Sequence, residues 1–158
     1  MLTTLVFAGP LSAQIDSSSM AWLREAPKRA AALAGCYRLS SSIRDTVVVP
    51  EAFRLTARPV DALGYHRLAS FWTDMPRVRF AETRPIWTPR TADSLEIELA
   101  PHSTGMPQFV LVGRVVGDSL RGAYQELSWH ADSAAPLGIR LSNTRSVPLR
   151  GKRVACGR

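Results

Sequence analysis

The segment from Asp93 to Trp129 constrains this chain most, because it reads as three consecutive β-strands joined by tight turns. Ser94-Leu95-Glu96-Ile97-Glu98-Leu99 alternates polar and apolar residues, so a pleated strand there has one greasy face and one wet face. Phe109 to Val116 is a β-branched apolar run, and Gly117-Asp118 turns it into a strand from Leu120 to Trp129. Further runs carry the same signature: Cys36–Ile43, Thr46–Val49, Phe53–Thr56, Tyr65–Trp72, Arg77–Glu82, Ile139–Leu141 and Ser146–Cys156. Turn-forming stretches such as Pro101 to Gly105 and Asp132 to Gly138 separate them. No segment after Gly35 holds helical periodicity beyond two turns. The expected fold class is all-β, an antiparallel up-and-down meander closing into a barrel or packing as a sandwich.

Ahead of the strands, Met20 to Ala34 reads as a helix: Trp22, Leu23, Ala26, Ala30 and Leu33 fall near i, i+4 spacing, with Ser19 as the N-cap. Pro27 interrupts the pattern, which predicts a short helix or two turns, and Gly35 is placed to end it. With 158 residues the chain is one domain by length and long enough to bury a core without metals. Leu2 to Ala13 resembles the later part of a secretory signal, with an apolar stretch, a Gly-Pro break and a small residue before Gln14. No Lys or Arg precedes that stretch, so the true start is expected upstream of Met1. The organisation expected is a truncated signal over 1–13, a linker and short helix over 14–34, and a β-barrel domain over 35–158.

Two cysteines in an exported chain most simply form one disulfide, Cys36 to Cys156, since first and last strands are neighbours when a sheet closes on itself. The alternative is two unrelated buried thiols. Leu33-Ala34-Gly35-Cys36 also matches a bacterial lipobox. Only Ala30 to Gly35 separates it from Lys28 and Arg29, however, less than the roughly 7–15 residues an apolar signal core needs. An exported periplasmic or extracellular protein is therefore expected over a lipoprotein anchored through Cys36. Nothing approaches the roughly 18 uninterrupted apolar residues of a membrane helix, so the chain is not expected to be transmembrane.

The helix, the Gly35-Cys36-Tyr37 that opens the first strand, and the meander after it together resemble the lipocalin-like (calycin) barrels. Tyr37 stands where that family's Gly-x-Trp motif has its Trp. The family also lays a late arginine over this aromatic, a place that Arg150 or Arg153 would take; its middle Thr-Asp-Tyr motif is absent, Thr73-Asp74 being followed by Met75. The resemblance implies a lipocalin-like barrel and brings ligand binding into view.

Catalytic signals are weak. His66, His102 and His130 have no metal-ligand spacing, and no nucleophile elbow or Walker loop is present. No metal, cofactor, nucleic-acid partner or enzymatic activity is expected. Glu96 and Glu98 project from one strand face and read as solubilising residues opposite Leu95, Ile97 and Leu99. An enzyme using Glu96 or Glu126 with a histidine is the least supported reading. Large aromatics spread over several strands can line a cavity or simply fill a core. Arg114 lies within an apolar run, on the pleat face of Val110, Val112 and Val116; turned inward it would mark a carboxylate site, and outward exposure is the default.

The functional expectation is non-catalytic binding of a small lipophilic or amphipathic ligand, with Tyr37, Trp72, Trp87, Arg114, Tyr124 and Trp129 at the cavity or its mouth. The alternative is a module with a filled core that meets an anionic envelope surface through a basic C-terminal strand. That alternative rests on a net charge of +7 and on Arg140, Arg145, Arg150, Lys152, Arg153 and Arg158 following Asp132 with no acidic residue among them.

Overall fold

A computed structural model describes residues 17–40, 49–60, 69–77, 84–100, 108–131, 133–134 and 139–157. One helix, α1 (Ser17–Leu33), precedes eight strands: β1 (Gly35–Leu39), β2 (Ala52–Pro59), β3 (Phe71–Thr73), β4 (Ile86–Pro89), β5 (Ser94–Glu98), β6 (Gln108–Val116), β7 (Ser119–Ala131) and β8 (Ile139–Val154). Each strand pairs antiparallel with the next, and β8 returns to β1, so the sheet is a closed eight-stranded barrel. Closure leaves no free edge along the β1–β8 seam, where Cys36 to Leu39 pair with Val154 to Gly151.

The alternating pattern sets the inside of the barrel. On β5, Leu95, Ile97 and the following Leu99 are buried, while Ser94, Glu96 and Glu98 are only half-buried. Register then carries one inward row around the wall, from Phe71 to Trp87, Ile97, Leu111, Tyr124 and Val147. Tyr37, Phe53, Leu55, Phe109, Leu120 and Leu149 join the same core. Three aromatic contacts tie it together: Tyr37 on Phe53, Phe71 on Trp87, and Phe109 on Tyr124.

Helix α1 is one continuous helix with Pro27 inside it, where the sequence predicts an interruption, and it begins at Ser17, so Ser19 is not its cap. Ala26, Ala30 and Leu33 form its buried stripe, whereas Pro27 is exposed. The carbonyl four residues before Pro27 therefore lies on the solvent side, where water can satisfy it. The helix packs against both β2 and β4, so it crosses the barrel end at which β1 starts. No helix among the described residues is long and apolar enough to cross a membrane.

Several strand boundaries differ from expectation. Ile86-Trp87-Thr88-Pro89 is β4, buried on both faces, and this hides the alternation that marks a strand. The two runs expected at Ile139–Leu141 and Ser146–Cys156 are one strand, β8. Thr144 between them is the extra residue of a bulge, its hydroxyl donating to the Glu126 carbonyl at 3.0 Å. β2 runs on to Pro59, and Val49 makes only an isolated bridge. The expected signal, most of the expected strand at 77–82, residues 41–48, and His66 and His102 lie outside the described residues.

Cys36 and Cys156 are disulfide-bonded, with Cα atoms 5.2 Å apart across a separation of 120 residues.

Candidate functional site

Five of the six residues expected at a cavity fall in four different settings, and the side chain of the sixth, Trp129, lies outside the described residues. Tyr37 is fully buried, and its hydroxyl donates to the Leu33 carbonyl at 2.6 Å, joining the first strand to the end of α1. Arg153, opposite Tyr37 on β8, donates to the Ala34 carbonyl. Burial pushes the Tyr37 hydroxyl pKa up, and the nearby Arg153 charge partly offsets this. Gly35 between them has a φ of 151°, and a Cβ there would meet Arg153 Nε at 2.9 Å. Of the two arginines expected over Tyr37, Arg153 takes the place, and the cluster closes the helix end of the barrel.

Trp87 is also fully buried, and its indole N–H donates to the Thr56 carbonyl at 2.9 Å. It is part of the inward row. Tyr124 lies in the same row. It is fully buried, yet its hydroxyl has no hydrogen-bond partner among the described residues. Burial, with the Glu126 charge adding to it, pushes the Tyr124 pKa up to about 12. Val147, opposite Tyr124, is half-buried, and so is Glu126, two residues on along the same face of β7. This part of the inner wall is six residues along β8 from Arg153, away from α1.

Trp72 faces outward between Phe71 and Thr73. Beside it is an open cleft of about 910 Å³, lined by Arg58, Met75, Asp74, Pro76, Arg77 and Arg84 as well. The Arg58 guanidinium sits 5.9 Å from the Trp72 ring centroid, a cation–π contact. Arg114 is on the outer wall, exposed, and bonded to Asp93 at 2.5 Å, so it does not face the barrel interior. Its neighbours Phe109, Leu111 and Val115 take the inward positions on β6. Trp129 has its backbone in β7 opposite Leu141; its side chain lies outside the described residues.

Sequence reasoning missed Phe109, Val147 and Glu126 as neighbours of Tyr124, and Arg58 and Met75 as neighbours of Trp72. The first group follows from the register of β6, β7 and β8, which alternation within one strand does not reveal. Glu96 stays on the outer face, where the Arg90 guanidinium reaches both its oxygens at 3.0 and 2.8 Å. His130 is exposed, and no group of three metal-ligating side chains occurs among the described residues.

The basic C-terminal strand does not present a single face. Arg153 is drawn into the helix-closing cluster, and Arg145 is exposed, directly opposite Glu126 beside the bulge. Arg150 and Lys152 are exposed on the outer wall. No protein-family model, curated protein or solved structure matches this chain.

Proposed function

We propose that this is an exported, non-catalytic barrel protein that holds one small lipophilic or amphipathic molecule inside the barrel, toward the end away from α1. The observation that carries the reading is the Tyr124 hydroxyl, fully buried and unpartnered among the described residues. A buried hydroxyl left without a partner costs roughly 1–3 kcal/mol, so buried polar groups are normally satisfied. A ligand carbonyl, hydroxyl or carboxyl placed on Tyr124 supplies the missing bond, while Phe109 and Val147 offer apolar surface to its body. The disulfide is the support for export.

The test is binding of an apolar fluorophore and a panel of fatty acids, followed by tryptophan fluorescence and native mass spectrometry, for wild type and Tyr124→Phe. Wild type is expected to bind. The variant should bind about tenfold more weakly, the effect of one hydrogen bond of roughly 1.4 kcal/mol. A variant that binds as wild type does and only melts at a higher temperature would reduce Tyr124 to an unsatisfied core residue and remove the proposal.

A further inference from the structure

The strand register places like charges directly opposite one another on the outer wall. Arg114 of β6 is opposite Arg121 of β7, and Arg121 is opposite Arg150 of β8. One row nearer the Gly117-Asp118 turn, Lys152 of β8 is opposite Arg38 of β1. All five side chains are exposed, while Val115, Leu120, Leu149 and Leu39, which alternate with them, are buried in the core.

Opposed side chains on neighbouring strands have Cβ atoms roughly 4.5–5.5 Å apart, and like charges in that relation repel. Arg114 has a counter-charge in Asp93. Arg38, Arg121, Arg150 and Lys152 have no ion-pair, hydrogen-bond or ring partner for their charged groups among the described residues. An arginine-rich chain scatters charges over its surface without needing any explanation. Four unpaired cations in two adjacent in-register rows do need one, because the free protein bears the repulsion and an anionic partner relieves it.

The shape of the wall selects the partner. The patch covers β6, β7, β8 and β1, four adjacent strands of a closed eight-stranded barrel, and so wraps about 135° of the circumference. A flat membrane meets a cylinder along a narrow strip and reaches only part of such a patch. The wall is also poor in groups that insert into lipid: Val116, 66% exposed, is the one large exposed apolar side chain among the described residues. A flexible chain can follow the curve, meeting one cation per strand at the strand spacing of about 4.8 Å. We infer that the outer wall formed by Arg114, Arg121, Arg150, Lys152 and Arg38 binds a flexible linear polyanion running across the strands. This does not depend on a ligand inside the barrel.

The experiment measures binding of labelled heparin and of long-chain polyphosphate by fluorescence anisotropy over a salt series, using the disulfide-bonded protein. Arg121→Gln/Arg150→Gln is compared with Arg24→Gln/Lys28→Gln, which removes the same charge from the exposed side of α1. Wild type should bind at least one polymer, with affinity falling as salt rises. The wall variant should bind at least tenfold more weakly, with a salt slope shallower by roughly one per arginine removed. The helix variant should change less than twofold. Equal losses in both variants would reduce the effect to net charge and overturn the proposal, as would failure to bind either polymer. Tighter binding to phosphatidylglycerol vesicles than to the polymers, weakened by the same wall substitutions, would replace the polyanion with a membrane surface.

Discussion

Three buried aromatics with polar tips show how differently one residue class is used here. Tyr37 and Trp87 give their protons to backbone carbonyls, of Leu33 and Thr56, and so act as ties between elements. Tyr124, in the same row as Trp87, is left over. Their sequence neighbourhoods do not separate them, because the partners lie 4 and 31 residues away and are brought near only by folding. The turn between β4 and β5 combines a local contact with a distant one. The Thr91 hydroxyl donates to the Asp93 carboxylate at 2.7 Å, and Arg114 reaches it from β6. The Thr91 hydroxyl, with Arg114 second, holds the Asp93 carboxyl below its ordinary value of 3.8. A depressed folded value means a contribution that is complete above the unfolded pKa and lost as pH falls through the folded one. Asp93→Asn is therefore expected to unfold at lower urea than wild type at neutral pH, with the gap closing below about pH 3.8. A gap independent of pH would mean that the carboxylate charge plays no part.

Among the elements, α1 departs furthest from its propensity. A proline inside a helix removes a hydrogen bond and costs about 3 kcal/mol relative to alanine. The helix continues through Pro27 because Ala26, Ala30 and Leu33 are buried against β2 and β4, and tertiary packing rather than propensity stabilises most helices. Pro27→Ala is expected to raise stability by about 1–3 kcal/mol in urea unfolding. An unchanged or lower midpoint would show that the barrel end needs the distortion the proline imposes. The strands divide by whether one face or two are covered. β5 and β6 are visible because an alternating or β-branched pattern ends at clear turns. β4 is invisible because all four of its residues are buried. At β8, Asn143-Thr144 carries a turn signal that the barrel absorbs as a bulge.

For the whole molecule, the decisive event is the meeting of β1 and β8. The disulfide joins Cys36, a rung of that ladder, to Cys156 just past the end of β8, and closes a loop spanning 120 residues of sequence. Chain-entropy arithmetic for such a loop gives about 4–5 kcal/mol. Cys36→Ser/Cys156→Ser is expected to lose most of that in urea unfolding, with the amides of β1 exchanging earliest as the seam opens. A loss below about 1 kcal/mol would mean that the eight-stranded ladder and α1 hold the barrel shut unaided.

Alternation over Ser94 to Leu99 and the β-branched run at Phe109 to Val116 were enough to point to an antiparallel all-β domain, because each is a local pattern with a local cause; the Cys36–Cys156 pairing was the simplest expectation for two cysteines, and the fold bears it out. The sequence by itself also placed Trp72 and Tyr124 on strands, but it did not mark β4, the strand that carries Trp87. Only the tertiary structure decided which way their side chains point and what they meet. Register between strands distant in sequence turned Arg114 to the outer wall, drew Arg153 to the helix end, left the Tyr124 hydroxyl without a partner, and aligned Arg121 with Arg150. Pattern within a strand fixes a face, but only pairing across strands fixes a neighbour.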